Sequence, residues 1–348
     1  MIIPFAKPYI DDLEKQAVTD VISSGWLTSG PKVKELEEKF AKYVGANHAI
    51  AVDSCTSALF LAIKRWNLQE GSSVKVPSLT FSASASTIVH NNLKPLFVDV
   101  DRELKQEEDL IENQILVNLT GVNTLKHSGS NIIVDSAHLI EKHMCYAMLG
   151  SFCFSFYPTK NLASAEGGMI CTNNDEDAKW FRLARAHGQT KDNYDRYAKG
   201  GSNHWEYSIE FPGYKMNMTD IQAAIALVQL DKFEEMEARR KVIVDRYNEA
   251  FGLDRTGLHL YYVLIENRKK FLAHMTKQGI SCSVHFLPLH KMPAYEMYEH
   301  EDMTNTNWMG DRMVSLPLYP GMTDEEVDYI IKVVGDYGNG DIRDSWAR

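Results

Sequence analysis

Ile132-Ile133-Val134-Asp135-Ser136-Ala137-His138 is an apolar run that stops on an acid. Ser155-Phe156-Tyr157-Pro158-Thr159-Lys160, whose lysine stands twenty-five residues after that acid, leads into Glu166-Gly167-Gly168-Met169-Ile170. The first stretch reads as a buried strand, because a short aliphatic run bounded by turn residues suits a strand covered on both faces. The second places a lysine in a loop between an apolar strand and a glycine-rich turn. Taken singly, Asp135 also suits a helix cap or a turn, and a lone lysine most often lies on the surface. Read together, they put an acid and a lysine at strand ends on one edge of one sheet.

Working outward, β-rich and helical runs alternate. His48 to Val52 precedes a helix at Ser57, and further strands are expected at Val74 to Val76, Leu96 to Val98, Ile115 to Val117, Ile132 to Val134 and Ser151 to Phe154. Such alternation predicts an α/β domain with a mostly parallel sheet, whose ligands lie beyond the carboxyl ends of the strands. Upstream, Leu13, Ala17 and Val21 recur at helical spacing with Val18 and Ile22 beside them, predicting an amphipathic helix that Gly25 stops. A second helix covers Val33 to Val44. Downstream, Thr219 followed by Asp220 and Gln222 is a helix N-cap with its capping-box partner, opening a long charge-laced helix through Lys232 and Arg240 toward Phe251. That length suits a connection between two domains, so residues 1–231 are expected to form a large domain and 232–348 a smaller α/β domain. The latter runs through Gly279 to Gly335 and ends in a helix after Thr323.

A chain of 348 residues can build one large and one smaller core. With 44% hydrophobic and 24% charged residues it has ordinary globular composition. A net charge of −10 argues against a broad nucleic-acid surface, although a local basic pocket for a phosphate-bearing ligand remains compatible with it. The five cysteines, Cys55, Cys145, Cys153, Cys171 and Cys282, are odd in number and lack C-x-x-C spacing. They signal neither a disulfide framework nor a metal site. Met1-Ile2-Ile3-Pro4-Phe5 lacks the pattern of a signal peptide, and no apolar run is long enough for a membrane span. A cytoplasmic protein is expected, without nucleic-acid or membrane partners.

An acid and a lysine on one sheet edge fit what pyridoxal 5'-phosphate requires. A lysine amine bonds covalently to the cofactor aldehyde, and a carboxylate keeps the pyridine nitrogen protonated so that the ring can absorb carbanion electrons. The Ser155 to Lys160 run with its following Glu-Gly-Gly resembles the lysine signature of the DegT/DnrJ/EryC1/StrS family of sugar aminotransferases. Other stretches carry the same resemblance. Gly25-Trp26-Leu27-Thr28-Ser29-Gly30-Pro31 is similar to the family's N-terminal loop near the substrate, which implicates Trp26 and Thr28. Asp53-Ser54-Cys55-Thr56-Ser57-Ala58-Leu59 resembles the small-residue turn that opens a helix and holds the cofactor phosphate, with Cys55 where the family usually has glycine. Backbone N–H groups and the positive helix end favour an anion there.

Pro77-Ser78-Leu79-Thr80-Phe81 is similar to the loop whose aromatic residue stacks on the pyridine ring, and His138 matches a residue that contacts the ring hydroxyl. Gly213-Tyr214-Lys215-Met216-Asn217-Met218-Thr219-Asp220 resembles the segment that reaches the neighbouring subunit's phosphate, although the usual Asn and Arg are replaced by Lys215 and Asn217. The Gly279 to His290 stretch resembles the segment bearing a substrate-side histidine, here His285, and Ser315 to Thr323 the C-terminal signature. The chain is short for the family between Asp101 and Asn131 and between Phe251 and Asn267.

What the resemblance implies is a fold type I, aspartate aminotransferase-like transferase. Lys160 and Asp135 would be catalytic, with Thr56, Ser57, Phe81, His138, Ser155, Lys215 and Asn217 holding cofactor and Trp26, Thr28 and His285 holding substrate. The substrate implied is a nucleotide-linked keto sugar, UDP-linked and aminated at C-4 of a 4-keto-6-deoxy sugar, with glutamate as amino donor and a homodimer with composite sites as the active unit. Amination at C-3, or of a GDP-linked sugar in perosamine fashion, is the alternative, followed by a cofactor-binding regulator without turnover. A family dehydratase carries histidine in place of the lysine, which Lys160 argues against. A nicotinamide oxidoreductase is disfavoured because no G-x-G-x-x-G follows a first strand.

Overall fold

Asp11 starts the first helix by accepting from the Leu13 N–H while Glu14 reaches back to the Asp11 N–H, and Gly25, at φ 72°, ends it in the left-handed conformation that glycine adopts freely. The computed structural model describes residues 1–107, 111–126, 129–191, 193–197 and 205–338. In chain order the elements are α1 (Asp12–Ser24), α2 (Pro31–Val44), β1 (His48–Val52), α3 (Cys55–Arg65), β2 (Ser73–Pro77), α4 (Ser82–His90), β3 (Lys94–Val98), β4 (Gln114–Val117) and β5 (Ile132–Asp135). There follow β6 (Ser151–Ser155), β7 (Gly168–Thr172), α5 (Asp175–Ala184), α6 (Asn193–Tyr197), α7 (Asp220–Asp231) and α8 (Phe233–Phe251). The chain continues through β8 (Tyr261–Leu264), α9 (Arg268–Lys277), a 3-10 turn at Leu289–Lys291, α10 (Thr304–Arg312), β9 (Met313–Leu316) and α11 (Asp324–Gly338).

The first seven strands form one sheet in the order β1-β7-β6-β5-β4-β2-β3. All pairings are parallel except those of β7, which is antiparallel to both β1 and β6. This is the expected mostly parallel α/β sheet, and every run expected to be a strand is one. Leu96 to Val98, for example, widens to Lys94–Val98. The addition is β7: what reads as a glycine-rich turn continues into a strand whose five residues are all buried. β4, β5 and β6 are also buried along their whole length, because helices cover both faces. Ile50, Val76 and Ile115 pack with Leu59 and Ile88 on one face, while Ala49, Leu116 and Phe154 pack with Phe40 and Leu227 on the other.

Two helical expectations need correcting. The apolar stripe of α1 does not face the core as a whole: Leu13 is 59% and Ile22 58% exposed, whereas Glu14 is buried. Glu14 tolerates burial because Lys232 Nζ pairs with it at 2.5 Å and Gln229 donates to it at 2.6 Å. The long helix after Thr219 is two helices, broken at Lys232, the residue recruited by Glu14 and Asp11. Beyond the break, β8 and β9 pair antiparallel, and Tyr247 of α8, Phe271 of α9 and Ile330 of α11 pack with them in a separate cluster. Residues 339–348, included in the expected second domain, lie outside the described residues.

Strand direction decides what meets at one sheet edge. β1, β5 and β6 all end there, and because β7 runs the other way its first residue, Gly168, stands opposite both Val52 and Ser155. The turn after β1, the acid ending β5 and the lysine loop after β6 therefore converge without any long excursion of the backbone.

Candidate active site

At that edge lies a cavity of 430 Å³ lined by residues from both sheets' surroundings, including Thr56, Phe81, Asp135, His138, Ser155, Lys160 and His285. Its size falls in the range of about 300–1,000 Å³ typical of small-molecule sites. No group of three or more His, Cys, Asp or Glu side chains among the described residues is placed to hold a metal ion, and no described helix is long and apolar enough to cross a membrane.

One wall is the N-terminus of α3. Ser54 caps it by accepting from the Ser57 N–H at 3.1 Å, and Asp53 accepts from the Ser57 hydroxyl at 2.5 Å. The turn is held so closely against β7 that a Cβ on Gly168 would stand 2.5 Å from the Ser54 carbonyl carbon and 2.6 Å from the Cys55 nitrogen. Glycine is required there by space. Thr56 is exposed on this wall, whereas the Ser57 hydroxyl is committed to Asp53 and Ser57 does not line the cavity.

Asp135 sits at the buried end of β5. Ser84 donates to its Oδ2 at 2.7 Å, the Ala137 N–H to its Oδ1 at 3.2 Å, and the Cys55 thiol approaches Oδ1 at 3.8 Å. Burial pushes its carboxyl above the usual value, and the hydrogen bonds and the nearby Lys160 charge pull it back. Lys160 stands in a closed loop in which its N–H bonds the Tyr157 carbonyl and the Ser164 N–H bonds the Phe156 carbonyl. Desolvation lowers its amine to about 8, against partial support from Asp135 and Cys55.

Three histidines line the cavity. His138 donates from Nδ1 to the Leu119 carbonyl, His285 Nδ1 meets the Ser315 hydroxyl at 2.9 Å, and His259 Nδ1 meets Asn161 Oδ1 at 2.7 Å. Burial holds all three below the ordinary imidazole value, His285 at about 4, so they are neutral at pH 7. Phe81 caps the start of α4 and stays 59% exposed, its ring 5.7 Å from that of Phe286.

Trp26, Thr28, Lys215 and Asn217 are brought together elsewhere, none lining this cavity. Asn217 donates to Ser29 Oγ at 2.7 Å and accepts from Lys215 Nζ, and Trp26 Nε1 bonds the Ser29 carbonyl. Asp220 ties the cluster to α2 through the Gly30, Lys32 and Val33 N–H groups, and the Thr28 carbonyl accepts from the Asp220 N–H. His259, Ser84, Asn161 and Phe286 are the residues that sequence reasoning missed. Ser84 had a weak signal, a small polar residue one helical turn after Thr80, with which it shares a hydrogen bond of 2.9 Å.

The donor set fits pyridoxal phosphate: an amine, a buried carboxylate and a helix N-terminus line the same cavity, and Gly168 lets the Ser54 turn pack closely against β7. Comparison with known proteins agrees. Residues 8–335 match the DegT/DnrJ/EryC1/StrS aminotransferase family. SpsC of Bacillus subtilis, a spore coat polysaccharide biosynthesis protein, is 37% identical with 97% of both chains covered. Spr1654 of Streptococcus pneumoniae, a provisionally assigned sugar aminotransferase, superposes in its PLP-form with a TM-score of 0.84 at 30% identity, covering 99% of this chain and 100% of that one. PseC of Helicobacter pylori, at 22% identity and a TM-score of 0.85 over 97% and 99% of the two chains, shares the fold.

Proposed function

The chain belongs to the DegT/DnrJ/EryC1/StrS aminotransferase family and is a pyridoxal-phosphate-dependent sugar aminotransferase; from that premise we propose that it converts a UDP-linked 4-keto-6-deoxy sugar to the 4-amino sugar with glutamate as donor. The observation that supports this reading most is the placement of Lys160 and Asp135 in one cavity, with the Lys160 amine lowered to about 8. The name of SpsC, which concerns polysaccharide biosynthesis, suits an enzyme that supplies an amino sugar.

Bound pyridoxal phosphate supplies an electron sink for the carbanion at the amino-bearing carbon. The chain supplies the rest. Asp135 holds a positive charge on the ring nitrogen, which requires the carboxylate form that Ser84 and the Ala137 N–H favour. Thr56, Ser155 and the N–H groups of the α3 N-terminus would hold the phosphate, with Ser57 acting through Asp53 and the turn's shape. Phe81 would cover the ring, and His138 Nε2, left without a proton because Nδ1 donates to the Leu119 carbonyl, would be free to accept from the ring hydroxyl. Lys160 Nζ takes a proton from the donor's α-carbon and returns one to the new amino-bearing sugar carbon. An amine lowered to about 8 is poised for both directions at neutral pH.

Trp26, Thr28, Lys215 and Asn217 lie outside their own chain's cavity, which suits their serving the partner's site in a homodimer with composite sites. In this reading residues 1–231 and 232–348 are the two domains, His285 reaches the substrate from the second, and the enzyme works in the cytoplasm.

The test supplies UDP-, GDP- and dTDP-linked 4-keto-6-deoxy sugars and their 3-keto isomers with glutamate, and identifies the aminated carbon by NMR. Turnover with the 3-keto sugar alone would overturn the C-4 assignment, and turnover with GDP sugars alone the nucleotide. If glutamate leaves the visible absorbance of the holoprotein unchanged, the protein is a cofactor-binding regulator instead.

A further inference from the structure

His259 belongs to no motif of the large unit, yet it lines the cavity just before β8 and is only 9% exposed. Its ring lies against that of His138, tilted by 34° with centroids 4.1 Å apart. A chain of hydrogen bonds fixes which of its nitrogens carries the proton. Arg240 Nη1 donates to Glu237 Oε1 at 2.7 Å, so that oxygen is an acceptor, although burial pushes the carboxyl up to about 7. Asn161 Nδ2 donates to the same oxygen at 3.0 Å and to the Leu258 carbonyl at 3.2 Å, and both partners can only accept. The amide is thereby oriented with Oδ1 toward His259, and Oδ1 can only accept, so His259 Nδ1 must donate across the 2.7 Å contact. Nε2 is then a bare lone pair, the ring nitrogen left to the cavity. Burial, with His138 and Lys160 nearby, holds the ring far below its usual titration range and keeps that lone pair unprotonated.

We propose that His259 is a specificity-determining residue: its Nε2 accepts a hydrogen bond from a hydroxyl of the bound sugar, and Asn161 and Glu237 are positioning residues that keep it an acceptor. This rests on the sugar aminotransferase reading. An acceptor in the cavity wall with no hydrogen-bond partner among the described residues selects for a ligand that brings an O–H or N–H, because a ligand lacking one leaves the lone pair unpaired. A keto sugar carries such hydroxyls beside the reacting carbon. The placement suits that role, since contacts run from His138, three residues after Asp135, to His259 and on to Asn161, the residue after Lys160. The ring stands close enough to the Lys160 amine to feel its charge.

The experiment measures kcat/KM of the holoenzyme, with glutamate, for the accepted nucleotide-linked keto sugar and for analogues in which fluorine replaces each ring hydroxyl in turn. Fluorine keeps the size but cannot donate. At one position the wild type should lose about 10–100-fold, while His259→Leu should treat parent and analogue within about threefold of each other. Asn161→Ala, which keeps the ring but removes the group that fixes its proton, should shrink the discrimination in the same direction and serves if the leucine variant does not fold. Equal wild-type rates with all analogues, or unchanged discrimination in both variants, would overturn the proposal. So would loss of the cofactor's visible absorbance in the variants, which would mean that the lone pair serves the cofactor. Absence of turnover with every nucleotide-linked keto sugar would take down the functional reading with it, whereas turnover without this discrimination would remove only the role of His259.

Discussion

Ser84, fully buried on α4, donates its hydroxyl to Oδ2 of Asp135 at 2.7 Å. Burial pushes this carboxyl above its usual value, and the Ser84 bond is foremost among the groups that oppose the rise. The carboxylate is the form that can hold a protonated ring nitrogen, so a serine outside every recognised motif helps decide the pH range in which the site works.

Ser84→Ala should therefore raise the Asp135 pKa and move the acid limb of kcat/KM to higher pH. The folded carboxyl then takes up its proton earlier as pH falls, so activity is lost sooner on acidification. A hydrogen bond to a charged group is worth about 1.5–3 kcal/mol, which corresponds to a shift of roughly one to two pH units. An acid limb that stays in place would show that another group sets it.

For Lys160, replacement by alanine should abolish turnover and the visible absorbance of bound cofactor while circular dichroism stays native. Stability should change in an unusual direction. The amine falls from its ordinary 10.5 to about 8 in the folded chain, so folding it costs free energy at pH values below about 8, and the cost fades as pH rises toward 10.5. At pH 7 the cofactor-free Lys160→Met protein should be more stable than wild type by roughly 1–3 kcal/mol, and the gain should vanish by about pH 10.5. Denaturant titration at the two pH values checks this, and a gain that grew with pH would contradict it.

Asp135→Asn keeps the shape of the side chain but cannot balance a positive ring nitrogen. Most of the activity should be lost with cofactor still attached, which absorbance and single-turnover rates would measure together. A near-wild-type rate would mean that another acid has this role.

Gly168→Ala places a methyl group 2.5–2.7 Å from three backbone atoms of Ser54 and Cys55. Backbone cannot give way as a flexible side chain can, so the α3 turn must shift and lose its grip on phosphate. Titration of cofactor-free protein with pyridoxal phosphate should show affinity reduced by about tenfold or more. Unchanged affinity would place the phosphate elsewhere.

Lys215 and Asn217 bond each other outside their own chain's cavity. Mixing a Lys160→Ala chain with a chain carrying Lys215→Ala and Asn217→Ala should restore one intact composite site per heterodimer, and activity with it. Confirmed heterodimers without activity would count against a shared site.

Much of the fold was legible in the sequence because its signals are local. The strand ending in Asp135 and the loop bearing Lys160 announce themselves through aliphatic runs and adjoining turn residues, and Gly25 and Thr219 mark helix ends through hydrogen bonds a few residues long. Local signals also have local limits. The spacing of Leu13, Ala17 and Val21 predicts α1 but not that Leu13 and Ile22 stay exposed. Equally, the charge-laced pattern of 220–251 conceals a break at Lys232, whose partners Asp11 and Glu14 lie more than two hundred residues away in the chain.

The sequence by itself determined where an acid and a lysine stand beside strands, since the two, followed by Glu-Gly-Gly, form a pattern that can be read along the chain. Only the tertiary structure decided what surrounds them. The antiparallel course of β7 brings Gly168 against the Ser54 turn, and α4 carries Ser84 across 51 positions to Asp135. Asn161 meets Glu237 across 76 positions and His259 across 98. Each of those contacts joins segments whose separation bears no fixed relation to helical or strand periodicity. A hydrogen bond between them exists only once the sheet order and the packing of α8 have set the distance, and that is why the charge state of Asp135 and the proton position on His259 belong to the folded chain alone.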